Sequence, residues 1–116
     1  MNSFVKIECD VADVLDKMAI LTVKTKIKQD PRLKIEFTRV VTALREGLGM
    51  KDFLLICNSQ EYFDLLDANT KVFILVGKAE KDECKASEVV AANLERFNAK
   101  KVLQEKYFGQ FNEVKI

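Results

Sequence analysis

The chain carries cationic side chains at helical spacing that could bind an anion. A basic line surrounds a turn at Asp30-Pro31 and consists of Lys24, Lys26, Lys28, Arg32 and Lys34. Lys17 lies seven residues before Lys24 and shares its helix face. A solvated positive face is the simpler interpretation. The functional interpretation is a phosphate or anion site, because ammonium and guanidinium groups that converge on one groove bind an oxyanion strongly.

A second polar cluster follows in the last third of the chain. Asn93, Arg96 and Lys100 are spaced i, i+3 and i+7, and therefore share one side of a helix. Asn69 interrupts an apolar stripe, where a buried amide must find a hydrogen-bond partner or cost about 1 to 3 kcal/mol. A buried structural network is the alternative interpretation of these residues. With Asp16 as the nearest acid or base, the candidate ligand-binding set is Asp16, Lys17, Lys24, Asn69, Asn93, Arg96 and Lys100.

Residues suited to catalysis are few. The chain has no histidine, which removes Ser-His-Asp and Cys-His nucleophile systems and the histidine-containing di-metal motif of helical bundles. Acidic pairs at i, i+3, such as Asp13/Asp16 and Glu61/Asp64, are expected by chance in a chain with 32% charged residues. We therefore nominate no catalytic residue, no metal ligand and no cofactor, and favour a protein that is not an enzyme.

Composition limits the class of protein further. The chain has 116 residues, 48% of them hydrophobic, which predicts one domain over residues 1–116. The formal net charge of +1 gives no global attraction to nucleic acid or to an anionic membrane. Three separated cysteines, Cys9, Cys57 and Cys84, are typical of reduced thiols that pack as small core residues. No secretion signal or membrane span is visible, so we expect a cytoplasmic protein.

Hydrophobic periodicity predicts a helical hairpin in the first half. The spacing favours one helix from Asp10 to Lys28, with an apolar face wide enough to be covered from two directions. Asp30 is a predicted N-cap and Pro31 the first position of a second helix. That helix is expected to end at Gly47 or Gly49.

The middle of the chain leaves the fold class open between two interpretations. The apolar runs 53–57 and 71–77, with residues 4–8, permit an α/β fold of three short strands. A helical stripe nevertheless continues through the second run, which favours one long helix from Ser59 to about Lys81. A further helix is predicted from Asp82 to Tyr107, with Gly109 as its stop. We therefore predict a mainly α bundle of about four helices, with a short terminal β-ribbon from residues 3–7 and 111–116 as an option.

One segment resembles a known family. Residues 16–24, DKMAILTVK, are similar to the DK-x-TILEIK segment of a bacterial and phage family of small helical proteins, the domain-of-unknown-function family six-one-six-five. Residues 28–30 with Leu33 and Glu36 resemble its hairpin, Asn69 its mid-chain asparagine, and Asn93, Arg96 and Lys100 its late polar stretch. Residues 113–115 are similar to its closing motif. The sequence departs from the family pattern at Ala19, Thr22, Phe73 and Leu94. The resemblance implies a mainly helical fold and, if the chain is phage-encoded, a host cytoplasm as its location; it implies no activity or ligand.

Three functions from different classes follow from these observations. The leading hypothesis is a non-enzymatic interaction module with a protein partner and a tendency to form homo-oligomers, which requires an exposed patch at Ile20, Val23 and Ile27 or at Phe108 and Phe111. The second is a protein, or an enzyme, that binds a small ligand or phosphate with the Lys/Arg/Asn cluster in one pocket. The third is weak nucleic-acid binding by the basic line, disfavoured because no aromatic residues are interleaved with it.

Overall fold

The computed structural model describes residues 8–109, which form five helices and no strand. The helices are α1 (Val11–Ile27), α2 (Pro31–Leu48), α3 (Met50–Cys57), α4 (Gln60–Glu80) and α5 (Ala86–Phe108). The prediction of a mainly α fold is confirmed for this part of the chain. None of these helices combines the length and the apolar composition needed to cross a bilayer.

The first hairpin is built as its residues predict. Asp30 caps α2 by accepting a hydrogen bond from the Arg32 backbone N–H at 2.9 Å, and Pro31 occupies the first turn. Hydrogen bonds from Arg32 also hold the pKa of Asp30 below its usual value. Gly49 ends α2 with φ of +81°, a conformation that glycine adopts without strain.

The two apolar runs of the middle region are both helical. Residues 71–77 lie inside α4, which confirms the long-helix prediction with Ser59 as its N-cap. Residues 53–57 lie in α3, so the alternative interpretation that made them a strand was wrong. Phe53 and Ile56 are buried while Leu54 and Leu55 are exposed, a one-sided pattern with helical spacing. The described range therefore has five helices, where about four were predicted.

The predicted terminal ribbon, residues 3–7 and 111–116, lies outside the described residues, as do nearly all of residues 4–8. At the other predicted boundaries the structure differs little. α5 begins at Ala86, four residues later than predicted, because residues 81–84 form a turn in which Asp82 has a φ of 55°. Gly109 follows the end of α5, as predicted.

Helix α1 lies at the centre of the bundle, because it packs against α2, α4 and α5. Its wide apolar face is covered from two directions, as predicted, so that Leu21 and Val23 are both buried. Leu15 of α1 is fully buried together with Leu65 of α4 and Leu103 of α5. The same packing positions the polar residues of α1 against α4 and α5.

Candidate functional site

A buried carboxylate links three helices. Asp16 of α1 and Asn69 of α4 are 6% and 4% exposed. The Asn69 Nδ2 donates to Asp16 Oδ1 at 2.8 Å and to the Leu65 carbonyl at 3.0 Å. The Arg96 Nε of α5 lies 4.0 Å from Asp16 Oδ2. Both carboxylate oxygens therefore face a donor, which offsets the cost of burying the charge.

A cavity of about 360 Å³ lies beside this trio, between α1, α4 and α5. We call it the α1–α4–α5 cavity. Its apolar lining residues are Ile20, Val23, Val72, Phe73 and Val76. Its polar lining residues are Lys24, Lys28, Asn69, Glu80 and Arg96. Asn69 and Glu80 are separated by about 16 Å along α4, at the rise of an α-helix. The cavity is thus elongated, with an apolar middle and polar groups toward its ends.

The charges at the two ends are balanced differently. At one end Arg96 faces the carboxylate of Asp16. At the other, Lys24 and Lys28 lie one helical turn apart, with Glu80 lining the opposite side. Within residues 8–109 neither lysine forms an ion pair, although Lys28 is near enough to Asp30 to contribute to its lowered pKa. The lysine end therefore has an excess of positive charge.

The structure brings part of the predicted ligand-binding set together. Lys24, Asn69 and Arg96 line the cavity, and Asp16 contacts the last two. Lys28, which belongs to the predicted basic line, also lines the cavity but was not included in the predicted set. Its position four residues after Lys24, at the C-cap of α1, is the signal that could have identified it.

Three members of the predicted set lie elsewhere. Lys17 pairs with Glu36 of α2 at 2.9 Å. Lys100 pairs with Asp13 at 3.0 Å. Asn93 is exposed, and its amide donates to the Val89 carbonyl one turn earlier. These residues share helix faces with Lys24 and Arg96 but meet different neighbours.

Two larger depressions lie away from the place where Lys24, Asn69 and Arg96 come together. The first, of about 590 Å³, lies along α1 and α2, and two of its three cations, Lys17 and Arg32, pair with Glu36 and Asp30. The second, of about 600 Å³, is lined mainly by α3, the turn after it and the end of α5, and there Lys106 pairs with Glu61. Both are more open to solvent than the α1–α4–α5 cavity.

Two titratable groups in the core, Tyr62 and Cys57, are held in their neutral forms by burial. Burial raises the pKa of Tyr62 to about 12, against a smaller opposing effect of the Thr22 hydroxyl. Burial also raises the pKa of the Cys57 thiol. A thiol with a raised pKa is a weak nucleophile at neutral pH, so Cys57 suits the packing role predicted for it.

No protein-family model, curated protein or solved structure matches this chain. The resemblance to the domain-of-unknown-function family six-one-six-five stays a prediction.

Proposed function

We propose that the protein is a non-enzymatic binding module whose binding site is the α1–α4–α5 cavity. The observation that carries the proposal is the combination of an apolar wall with Lys24 and Lys28 at one end. An apolar group that enters such a cavity leaves water at a gain of about 25 cal/mol per Å². The lysines then orient a charged group on the same ligand.

The role of Asp16 in this proposal is structural. Its oxygens face Asn69 and Arg96, which fixes the relative positions of α1, α4 and α5. A pocket whose walls are held by such a network is formed before the ligand arrives, which reduces the entropy lost on binding. Asn69 and Arg96 thus shape the cavity, and the lysines face its contents.

The test uses anilinonaphthalene sulfonate, a fluorescent dye with apolar rings and one anionic sulfonate. The same substitution, valine to phenylalanine, is made at two positions. Val76→Phe fills the cavity, and Val76 is 39% exposed, so the helix can accommodate the larger ring. Val102→Phe is the matched control, on an exposed part of α5 outside the cavity. We expect Val76→Phe to weaken the dye's affinity at least about tenfold, or 1.4 kcal/mol, and Val102→Phe to leave it unchanged. Equal affinities in two variants with unaltered thermal unfolding would refute the proposal.

A second candidate, docking of a protein partner at the same place, is favoured by Ile27. This residue is 59% exposed and lies seven residues after Ile20, on the same face of α1. Of the predicted patch, Val23 is buried, Ile20 is half-buried, and Ile27, which does not line the cavity, is exposed. A partner that inserts one side chain and covers Ile27 would lose affinity in Ile27→Ser, whereas a ligand confined to the cavity would not. Self-association through this face stays a prediction.

A further inference from the structure

Resting on the proposed function, we propose that the occupant of the α1–α4–α5 cavity is a small amphiphilic anion. Such a molecule has a narrow apolar body and one negatively charged head group, as in a medium-chain fatty acid. The apolar body lies between α1 and α4, and the head group lies at Lys24 and Lys28.

The size of the cavity selects a small molecule. Its volume of about 360 Å³ lies near the lower limit of small-molecule pockets, which span about 300 to 1,000 Å³. Its length of about 16 Å follows from the rise of α4 between Asn69 and Glu80. Spread over this length, the volume gives a mean cross-section of roughly 20 Å², which is much smaller than that of a partner helix about 10 Å in diameter. A rod-like chain fills the length without widening the groove.

The walls of the cavity require an apolar body. Ile20, Val23, Val72, Phe73 and Val76 present hydrocarbon surfaces along its middle. A polar group placed there would lose its hydrogen bonds to water without a replacement, at a cost on the order of several kcal/mol. The body of the ligand must therefore be hydrocarbon.

The donors of the cavity decide where the head group lies. Both N–H groups of the Asn69 amide are engaged, one by Asp16 and one by the Leu65 carbonyl. Arg96 at the same end faces the Asp16 carboxylate, which would repel a second anion. Lys24 and Lys28 supply charge at the other end, where Glu80 offsets part of it. An anionic head is attracted to this end, and a cationic head is repelled.

Three probes with one hydrocarbon chain test this assignment: decanoate, decanol and decyltrimethylammonium, each below its micelle-forming concentration. Binding is followed by NMR through the backbone amides of the cavity residues. We expect decanoate to bind at least about tenfold more tightly than decanol, since a charge-assisted hydrogen bond is about twice as strong as a neutral one. The cationic probe should bind most weakly.

Charge variants identify the residues responsible. Lys24→Gln combined with Lys28→Gln should bring the affinity for decanoate down to that for decanol and leave the affinity for decanol unchanged. Lys26→Gln is the matched control, because Lys26 is exposed on the same helix and does not line the cavity. If decanoate kept its full preference in the double variant, the lysines would not hold the head group and the inference would be wrong.

The outcomes separate this inference from the proposed function. Equal binding of all three probes, sensitive to Val76→Phe, would overturn the anion preference and leave the cavity as the binding site. The same holds if none of the three binds while anilinonaphthalene sulfonate still responds to Val76→Phe. If decanoate and the dye both bind and neither responds to Val76→Phe, the inference and the proposed function both fail.

Discussion

The amide of Asn69 joins α1 to α4 through one short contact. Its Nδ2 donates to the buried Asp16 Oδ1, and Asn69→Ala would leave that carboxylate oxygen without the donor. A buried acceptor that loses its partner costs about 1 to 3 kcal/mol. We expect Asn69→Ala to lower the free energy of unfolding by this amount, as measured by urea denaturation.

Asn93 provides the matched control for this substitution. It lies on the exposed side of α5, and its amide donates within its own helix. Asn93→Ala should therefore change the free energy of unfolding by no more than about 0.5 kcal/mol. Similar losses in the two variants would mean that the buried pair contributes no more than a surface amide.

For single residues, the sequence predicts that a side chain requires a hydrogen-bond or ion-pair partner better than it predicts which residue that partner is. Asn69 is recognisable because an amide inside an apolar stripe requires a partner, and the structure provides one. The partner's identity depends on how α1 packs on α4, which local spacing does not contain. Lys17 shows the same limit, since it shares a helix face with Lys24 but lies opposite Glu36 of α2.

At the level of elements, the junction between α2 and α3 is set by one glycine. Gly49 has φ of +81° and ψ of 154°, a region that other residues enter at a cost of about 1 to 3 kcal/mol. Gly47 lies two residues earlier inside α2, with open space around the position of a Cβ. We expect Gly49→Ala to destabilise the protein, and Gly47→Ala to stabilise it by up to about 1 kcal/mol.

Thermal unfolding of the two variants measures both effects, because the substitution is the same and only the backbone conformation differs. A rise in melting temperature for Gly49→Ala would show that the junction can adopt another backbone path. An unchanged melting temperature for Gly47→Ala would show that the gain in helix propensity is not realised at this exposed position.

The boundaries of these elements were largely predictable, whereas the class of the short apolar run was not. Capping residues such as Asp30 and Ser59 act within a few residues, so sequence reveals them directly. Residues 53–57 are uniformly apolar, and a run of five has no period that separates a helix from a strand. Burial of Phe53 and Ile56 against the bundle favours the helix over the strand, and this burial is a tertiary effect.

For the whole molecule, the position of α1 predicts a gradient of local stability. This helix packs on α2, α4 and α5, whereas α2 packs on α1 and α3. Amides of α1 should therefore exchange hydrogen only in global unfolding, and those of α2 should exchange through smaller openings as well. Native-state hydrogen exchange at increasing denaturant measures this order. Faster exchange in the middle of α1 than in the middle of α2 would contradict it.

The hydrogen bond from the Ala12 backbone N–H to Gln104 Oε1 joins residues 92 positions apart in the chain. The ribosome therefore completes α1 long before it makes the helix that covers one end of it. While the second half is being synthesised, the surface of α1 that will pack on α4 and α5 is exposed on the nascent chain. Exposed apolar surface of this kind is what chaperones bind. Of the five described helices, α5 is thus synthesised last, and α1 can finish folding only once α5 has been made.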